Sequence, residues 1–106
     1  MDQIRILLCC GAGMSSGLLA QKARKAAKKR GLEATIEARS ESEAGQYFST
    51  IDVLMLGPHY VHLQEEMKAL GKPYGVPVVV IPQSIYGMLD GEQLLDLAME
   101  SLQIKE

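Results

Sequence analysis

Long uncharged apolar runs are missing from this chain. No window approaches the roughly 20 apolar residues that a membrane-spanning helix needs, so direct membrane insertion is not expected. A basic leader is missing as well: residues 1–19 begin with a strand pattern and do not read as a signal peptide, which makes a cytoplasmic location the expectation. Cysteine is scarce, with two residues in a chain of 106. That is far from the density of a disulfide-held secreted scaffold, and two cysteines in a cytoplasmic chain point to chemistry rather than cross-linking. Cys9 and Cys10 are neighbours in sequence, and a disulfide between them would be strained. Excess positive charge is absent too: a net charge of −2 gives no general affinity for nucleic acid. Repeats, low-complexity tracts and linkers are not found, so residues 1–106 read as one domain with a modest core, expected to be a monomer.

What is present alternates between two periods. Ile4, Ile6, Leu7 and Leu8 form an apolar run of the kind found in a buried parallel strand. Residues 16–30 then carry Leu19, Ala23, Ala26 and Ala27 at helical spacing, with Ser15 or Ser16 able to cap the start and Gly31 suited to the left-handed residue past the end. A second strand is expected over residues 34–38, a short helix over 40–47, and a third strand over 51–56, closed by Gly57 and Pro58. Residues 60–70 predict a helix of about three turns, ended by Gly71 and Pro73. Residues 76–81 predict the fourth strand, 82–87 a loop, and 90–102 the last helix. Strands alternating with helices predict an α/β, doubly wound domain with a four-stranded parallel sheet and helices on both faces. In such sheets the working site lies beyond the carboxyl ends of the strands, where residues 10–16, 57–60 and 82–86 converge.

The first of these loops is the most informative. A strand end, a turn of small residues and a helix start present backbone N–H groups and a positive helix end to an anion. The first residue of this loop is Cys10, and a thiol facing such donors should ionise below its free value of about 8.5. The loop Gly11, Ala12, Gly13, Met14, Ser15 and Ser16 could then hold three phosphoryl oxygens while Cys10 attacks phosphorus. Two absences narrow the chemistry. A cysteine phosphatase loop of this length has an arginine six residues after the thiol, where this chain has Ser16. No Asp or Glu stands in residues 57–60 or 82–86 to protonate a leaving group. The site looks built to accept phosphate and keep it.

Other readings remain at this stage. Gly11, Gly13 and Gly17 approximate a dinucleotide fingerprint, with Glu37 about 20 residues on, although the third glycine is one position late. A cysteine-dependent phosphatase or arsenate-reductase-like enzyme is the other alternative. Cys9 should point to the opposite side of the strand from Cys10 and be the inert thiol. His59 and His62 could be half a metal site, but no third ligand is evident, so no metal and no cofactor are expected. Pro58, His59 and Tyr86 are the candidates for lining the mouth of the site. Six of the 11 basic residues lie between Lys22 and Arg30. That face is either solvated surface or a docking surface for an acidic partner.

The run Cys10-Gly11-Ala12-Gly13-Met14-Ser15-Ser16-Gly17-Leu18-Leu19 resembles the start of the lactose/cellobiose/chitobiose-type IIB components of the sugar phosphotransferase system. The Asp-Val-x-x-Leu-Gly-Pro run ending at Pro58 and the Tyr-Gly-x-x-Asp-Gly run ending at Gly91 extend the resemblance over nearly the whole chain. It departs from the pattern at Cys9, where an aromatic or aliphatic residue is frequent, and at His59, where Gln is. The resemblance implies that Cys10 receives phosphate from a phosphohistidine on a IIA protein. It further implies that Cys10 passes it to a sugar bound by a membrane IIC component.

Overall fold

The structure, a computed structural model, describes residues 3–9, 14–40 and 42–104. Four strands, β1 (Ile4–Cys9), β2 (Ala34–Arg39), β3 (Val53–Leu56) and β4 (Val78–Val80), form one parallel sheet in the order β2-β1-β3-β4. The helices are α1 (Met14–Lys29), α2 (Gln64–Gly71), α3 (Gln83–Met88) and α4 (Gly91–Ile104). Among the described residues no helix is long and apolar enough to cross a membrane.

Alternation along the central strand divides the core in two. Ile4, Ile6 and Leu8 face α1 and α4 together with Ile36, Val53 and Met55, whereas Leu7 and Cys9 face α2 with Phe48, Leu54 and Leu56. β1 and β3 are buried on both faces, as expected of central parallel strands, so both read as nearly continuous apolar runs. β2 lies at an edge and buries only Ile36.

The ends of α1 and α4 follow local rules. Gly31 adopts φ 69°, its N–H donates to the Lys28 carbonyl at 3.1 Å, and Leu32 N–H donates back to Ala27 at 2.9 Å. This pair of bonds closes α1 as a left-handed glycine cap. α4 begins one residue later than the periodicity suggests, because Asp90 is its cap: the carboxylate accepts the Gln93 N–H at 3.1 Å and the Gln93 side-chain amide at 2.8 Å.

Several expected boundaries differ. Residues 82–87, expected as a loop, contain α3. Pro82 sits at its N-cap, its carbonyl accepting N–H groups of Ile85 and Tyr86 at 3.0 Å, and Ile85 is buried. Two turns anchored by one buried isoleucine are too short for periodicity to reveal, and Leu89 ends them at φ 52°. The helix expected over 40–47 is reduced to a single 3₁₀ turn, Ala44–Gln46. The helix expected over 60–70 starts as a 3₁₀ segment, Pro58–Leu63, kinked at Tyr60 (φ −109°, ψ 19°), before α2 proper. β4 is shorter than expected at its start, where Pro77 has no N–H to give, although its carbonyl accepts from Leu54 at 3.0 Å.

Two residues of the family-like motifs are structural. Asp52 locks the amino ends of β1 and β3: its carboxylate accepts the Arg5 N–H and its own N–H donates to the Arg5 carbonyl, both at 2.8 Å. Gly91 marks the crossing of α4 on α1. A Cβ there would stand on the Lys22–Ala23 backbone, 2.6 Å from the Ala23 nitrogen. Alanine is the better helix former by about 1 kcal/mol, but an overpacked backbone contact costs about 1–3 kcal/mol. Gly91→Ala should therefore lower the urea midpoint despite the propensity gain; an unchanged or raised midpoint would show that α1 and α4 separate freely.

The Asp90 carboxyl is held below its usual range, chiefly by the Gln93 backbone N–H and then by the Gln93 side chain. A depressed folded-state value means that the cap stabilises above the ordinary aspartate range near pH 4 and is lost as pH falls through the folded value. Asp90→Ala should accordingly melt earlier than wild type at pH 7, with the gap closing as the pH is taken below that range. A gap that persists in acid would mean that the carboxylate is not what caps α4.

Candidate functional site

The strand order reverses between β1 and β3. From β1 the chain moves outward to β2 on one side, and from β3 to β4 on the other. At such a switch point the two diverging connections leave a crevice above the carboxyl ends of the strands. Register aligns those ends: Cys9 stands opposite Leu56, and Leu56 opposite Val80. Beyond the last pairs, Gly57 N–H donates to the Cys9 carbonyl at 2.9 Å and Ile81 N–H to the Leu56 carbonyl at 2.7 Å. The three strands therefore release their loops at one level.

Cys10, Gly11, Ala12 and Gly13 lie outside the described residues. Their two ends are fixed: β1 stops at Cys9 and α1 starts at Met14. Met14, Ser15 and Ser16 form the first turn of α1, whose amides have no intrahelical carbonyl to meet.

Cys9 belongs to the α2-side core. It is fully buried, and its Sγ lies 3.9 Å from the Ser40 carbonyl as a hydrogen-bond donor.

Of the expected lining residues, the structure joins His59 and Tyr86. Their rings meet edge-on with centroids 5.6 Å apart, which ties the β3 loop to α3. Tyr60 completes the group, 4.9 Å from His59 and 6.1 Å from His62. Pro58 starts the 3₁₀ segment that carries His59 and Tyr60. Tyr60 ends the 57–60 segment expected to converge on the site, although it was not among the residues expected to line its mouth. His59 and His62 share Tyr60 as a ring neighbour, and among the described residues no three His, Cys, Asp or Glu side chains gather into a metal-binding group.

Arg39 ends β2 in register with Cys9. Its guanidinium is committed elsewhere: Nε donates to the Tyr47 hydroxyl at 3.1 Å and Nη2 pairs with Glu37 at 3.0 Å, with the Tyr47 ring 5.6 Å away. The hydrogen bond to Tyr47 leads the interactions that raise its already high pKa, so it stays a fixed cation.

The chain was compared with known proteins on this footing. The family model described as "PTS system, Lactose/Cellobiose specific IIB subunit" matches residues 5–97. A galactose-specific EIIB component of the phosphotransferase system from Lactococcus lactis subsp. cremoris is 38% identical over 98 residues, 88% of this chain and 91% of that protein. The solution structure of a cellobiose-specific phosphotransferase IIB component from Borrelia burgdorferi superposes with a TM-score of 0.80 at 36% identity, covering 98% of this chain and 95% of that one. A lactose-specific EIICB component from Lacticaseibacillus casei is 26% identical over 103 residues, which are 95% of this chain but 18% of that longer protein. The chain belongs to the lactose/cellobiose-specific IIB family of the sugar phosphotransferase system.

Proposed function

We propose that this chain is a phosphoryl carrier and that Cys10 is the residue that carries the phosphate. The observation that bears most weight is the four-residue span between the end of β1 at Cys9 and the start of α1 at Met14, above the point where strand order reverses. A thiolate there would be surrounded by unpaired amides of the loop and of the first helical turn, the donor set that stabilises both an anionic sulfur and a phosphoryl group. Gly11, Ala12 and Gly13 leave space for the backbone to curl, and Ser15 and Ser16 add hydroxyls.

In the donor step the Cys10 sulfur attacks phosphorus of a IIA phosphohistidine. An S–P bond forms, the N–P bond breaks, and the imidazole leaves with a proton from solvent. In the acceptor step a hydroxyl of a sugar held by the membrane IIC component attacks the same phosphorus. The O–P bond forms, the S–P bond breaks with the sulfur leaving as thiolate, and the hydroxyl proton passes to solvent. Between the two, the site must hold roughly −1.5 to −2 of charge without hydrolysing it. The disposition of Arg39 favours holding over hydrolysis, since its guanidinium is occupied by Tyr47 and Glu37. The third-strand loop and α3 contribute rings rather than carboxylates. Acting at the cytoplasmic side, a domain of this kind needs no cofactor, and the choice of sugar falls to IIC.

Cys10→Ser should take up no phosphoryl group from a phosphorylated IIA protein, while Cys9→Ser should take up one per chain, both read by intact-protein mass. Labelling of Cys10→Ser together with loss in Cys9→Ser would reverse the assignment. The ring contact between His59 and Tyr86 positions the mouth of the site rather than doing chemistry. Tyr86→Phe should accept phosphate at a rate within about twofold of wild type, and Tyr86→Ala about tenfold more slowly but to the same final stoichiometry. Equal rates for the two variants would remove the positioning role.

A further inference from the structure

Helix α1 buries Leu19, Ala20, Ala23, Ala26 and Ala27 and leaves Leu18, Lys22, Lys25 and Lys29 along its solvent side at spacings of three and four residues. The cations of this helix and its cap are not equivalent. Arg24 is pinned toward the sheet, its Nε donating to the Ile36 carbonyl at 2.8 Å. Lys29 and Arg30 answer Glu92 and Asp96 of α4 at separations between 2.8 and 3.7 Å. Lys22, Lys25 and Lys28 are exposed and hold no ion pair among the described residues.

Apolar surface accompanies the first two. Leu18, one turn before Lys22 on the same helix, is 44% exposed. A hollow of about 360 Å³ is lined by Leu18, Gln21, Lys22 and Lys25, and a second of about 200 Å³ separates Lys22 and Lys25 from Leu89 and Gly91.

We propose that Leu18, Lys22 and Lys25 form the docking face for the acidic, partly apolar surface of the protein that delivers phosphate. The inference rests on the assignment of Cys10 as phosphate acceptor. A standard interface covers about 800 Å² per partner, a disc of about 16 Å radius. Helical rise puts Leu18, Lys22 and Lys25 about 6, 12 and 17 Å along α1 from Met14, and Lys28 about 21 Å. A partner centred near the start of α1 therefore covers Leu18 and Lys22, has its edge at about Lys25, and stops well short of Lys28. The charge also selects between the two transfer partners. Unpaired cations raise the capture rate of a diffusing acidic partner. The acceptor has less need of capture: in the lactose-specific EIICB relative it shares one chain with the IIB region.

The test follows label from a purified IIA protein carrying radiolabelled phosphohistidine. The double variant Lys22→Glu, Lys25→Glu should take up label about tenfold more slowly at low salt, with the gap closing as salt rises. Lys28→Glu should stay within about twofold of wild type, and Leu18→Ser should raise the half-saturating donor concentration at every salt. All should reach one phosphoryl group per chain. Equal slowing by Lys28→Glu would reduce the effect to overall charge, and an unslowed double variant would end the proposal. So would slowing confined to onward transfer into sugar with IIC-containing vesicles, because the face would then belong to the acceptor. Failure of the Cys10 assignment is seen separately, as label retained by Cys10→Ser.

Discussion

The parallel ladder between β1 and β3 is the constraint on which the rest depends. It pairs Cys9 with Leu56 and carries one hydrogen bond beyond, from Gly57 back to Cys9. Inside a sheet buried on both faces, backbone amides are consumed by neighbouring strands. At the carboxyl edge that supply of partners stops, and the chain turns into α1 within four residues. The first amides of α1 lack intrahelical partners and start where the strand order diverges, a place that favours an anion over an apolar side chain.

Cys9 shows how period-two alternation assigns a residue its surroundings. Cys9 falls on the inward register of β1, sealed among Leu7, Leu54 and Leu56, where it serves as a small hydrophobe. The same alternation sends Leu8 to the α1–α4 core, so that core is anchored to the strand that ends at the site. α4 is capped by Asp90 and crosses α1 in close backbone contact at Gly91. Parts of the chain with no chemistry of their own thus govern where chemistry is possible.

Much of this was legible beforehand. The apolar runs of β1 and β3, the alanine stripe of α1 and Gly31 at its end all pointed to their structural places, because each depends on local pattern and burial. What escaped was set by tertiary context. α3 is held by one buried residue, Ile85, and a proline cap, which no period can reveal. The 3₁₀ entry to α2 follows from Pro58 and the kink at Tyr60. The ring contact of His59 with Tyr86 joins residues far apart in sequence and depends on the register of β3 and β4. Asp52 and Asp90, prominent in the family-like motifs, serve hydrogen bonds of the backbone, a role that spacing alone does not announce.

The most direct test of the account is to locate the phosphate itself. Wild-type protein phosphorylated by its IIA partner, digested and sequenced by fragment mass under conditions that preserve phosphorus–sulfur bonds, should carry the added group on Cys10 alone. Phosphate on His59, His62 or Cys9, with Cys10 unmodified and still open to alkylation, would contradict it.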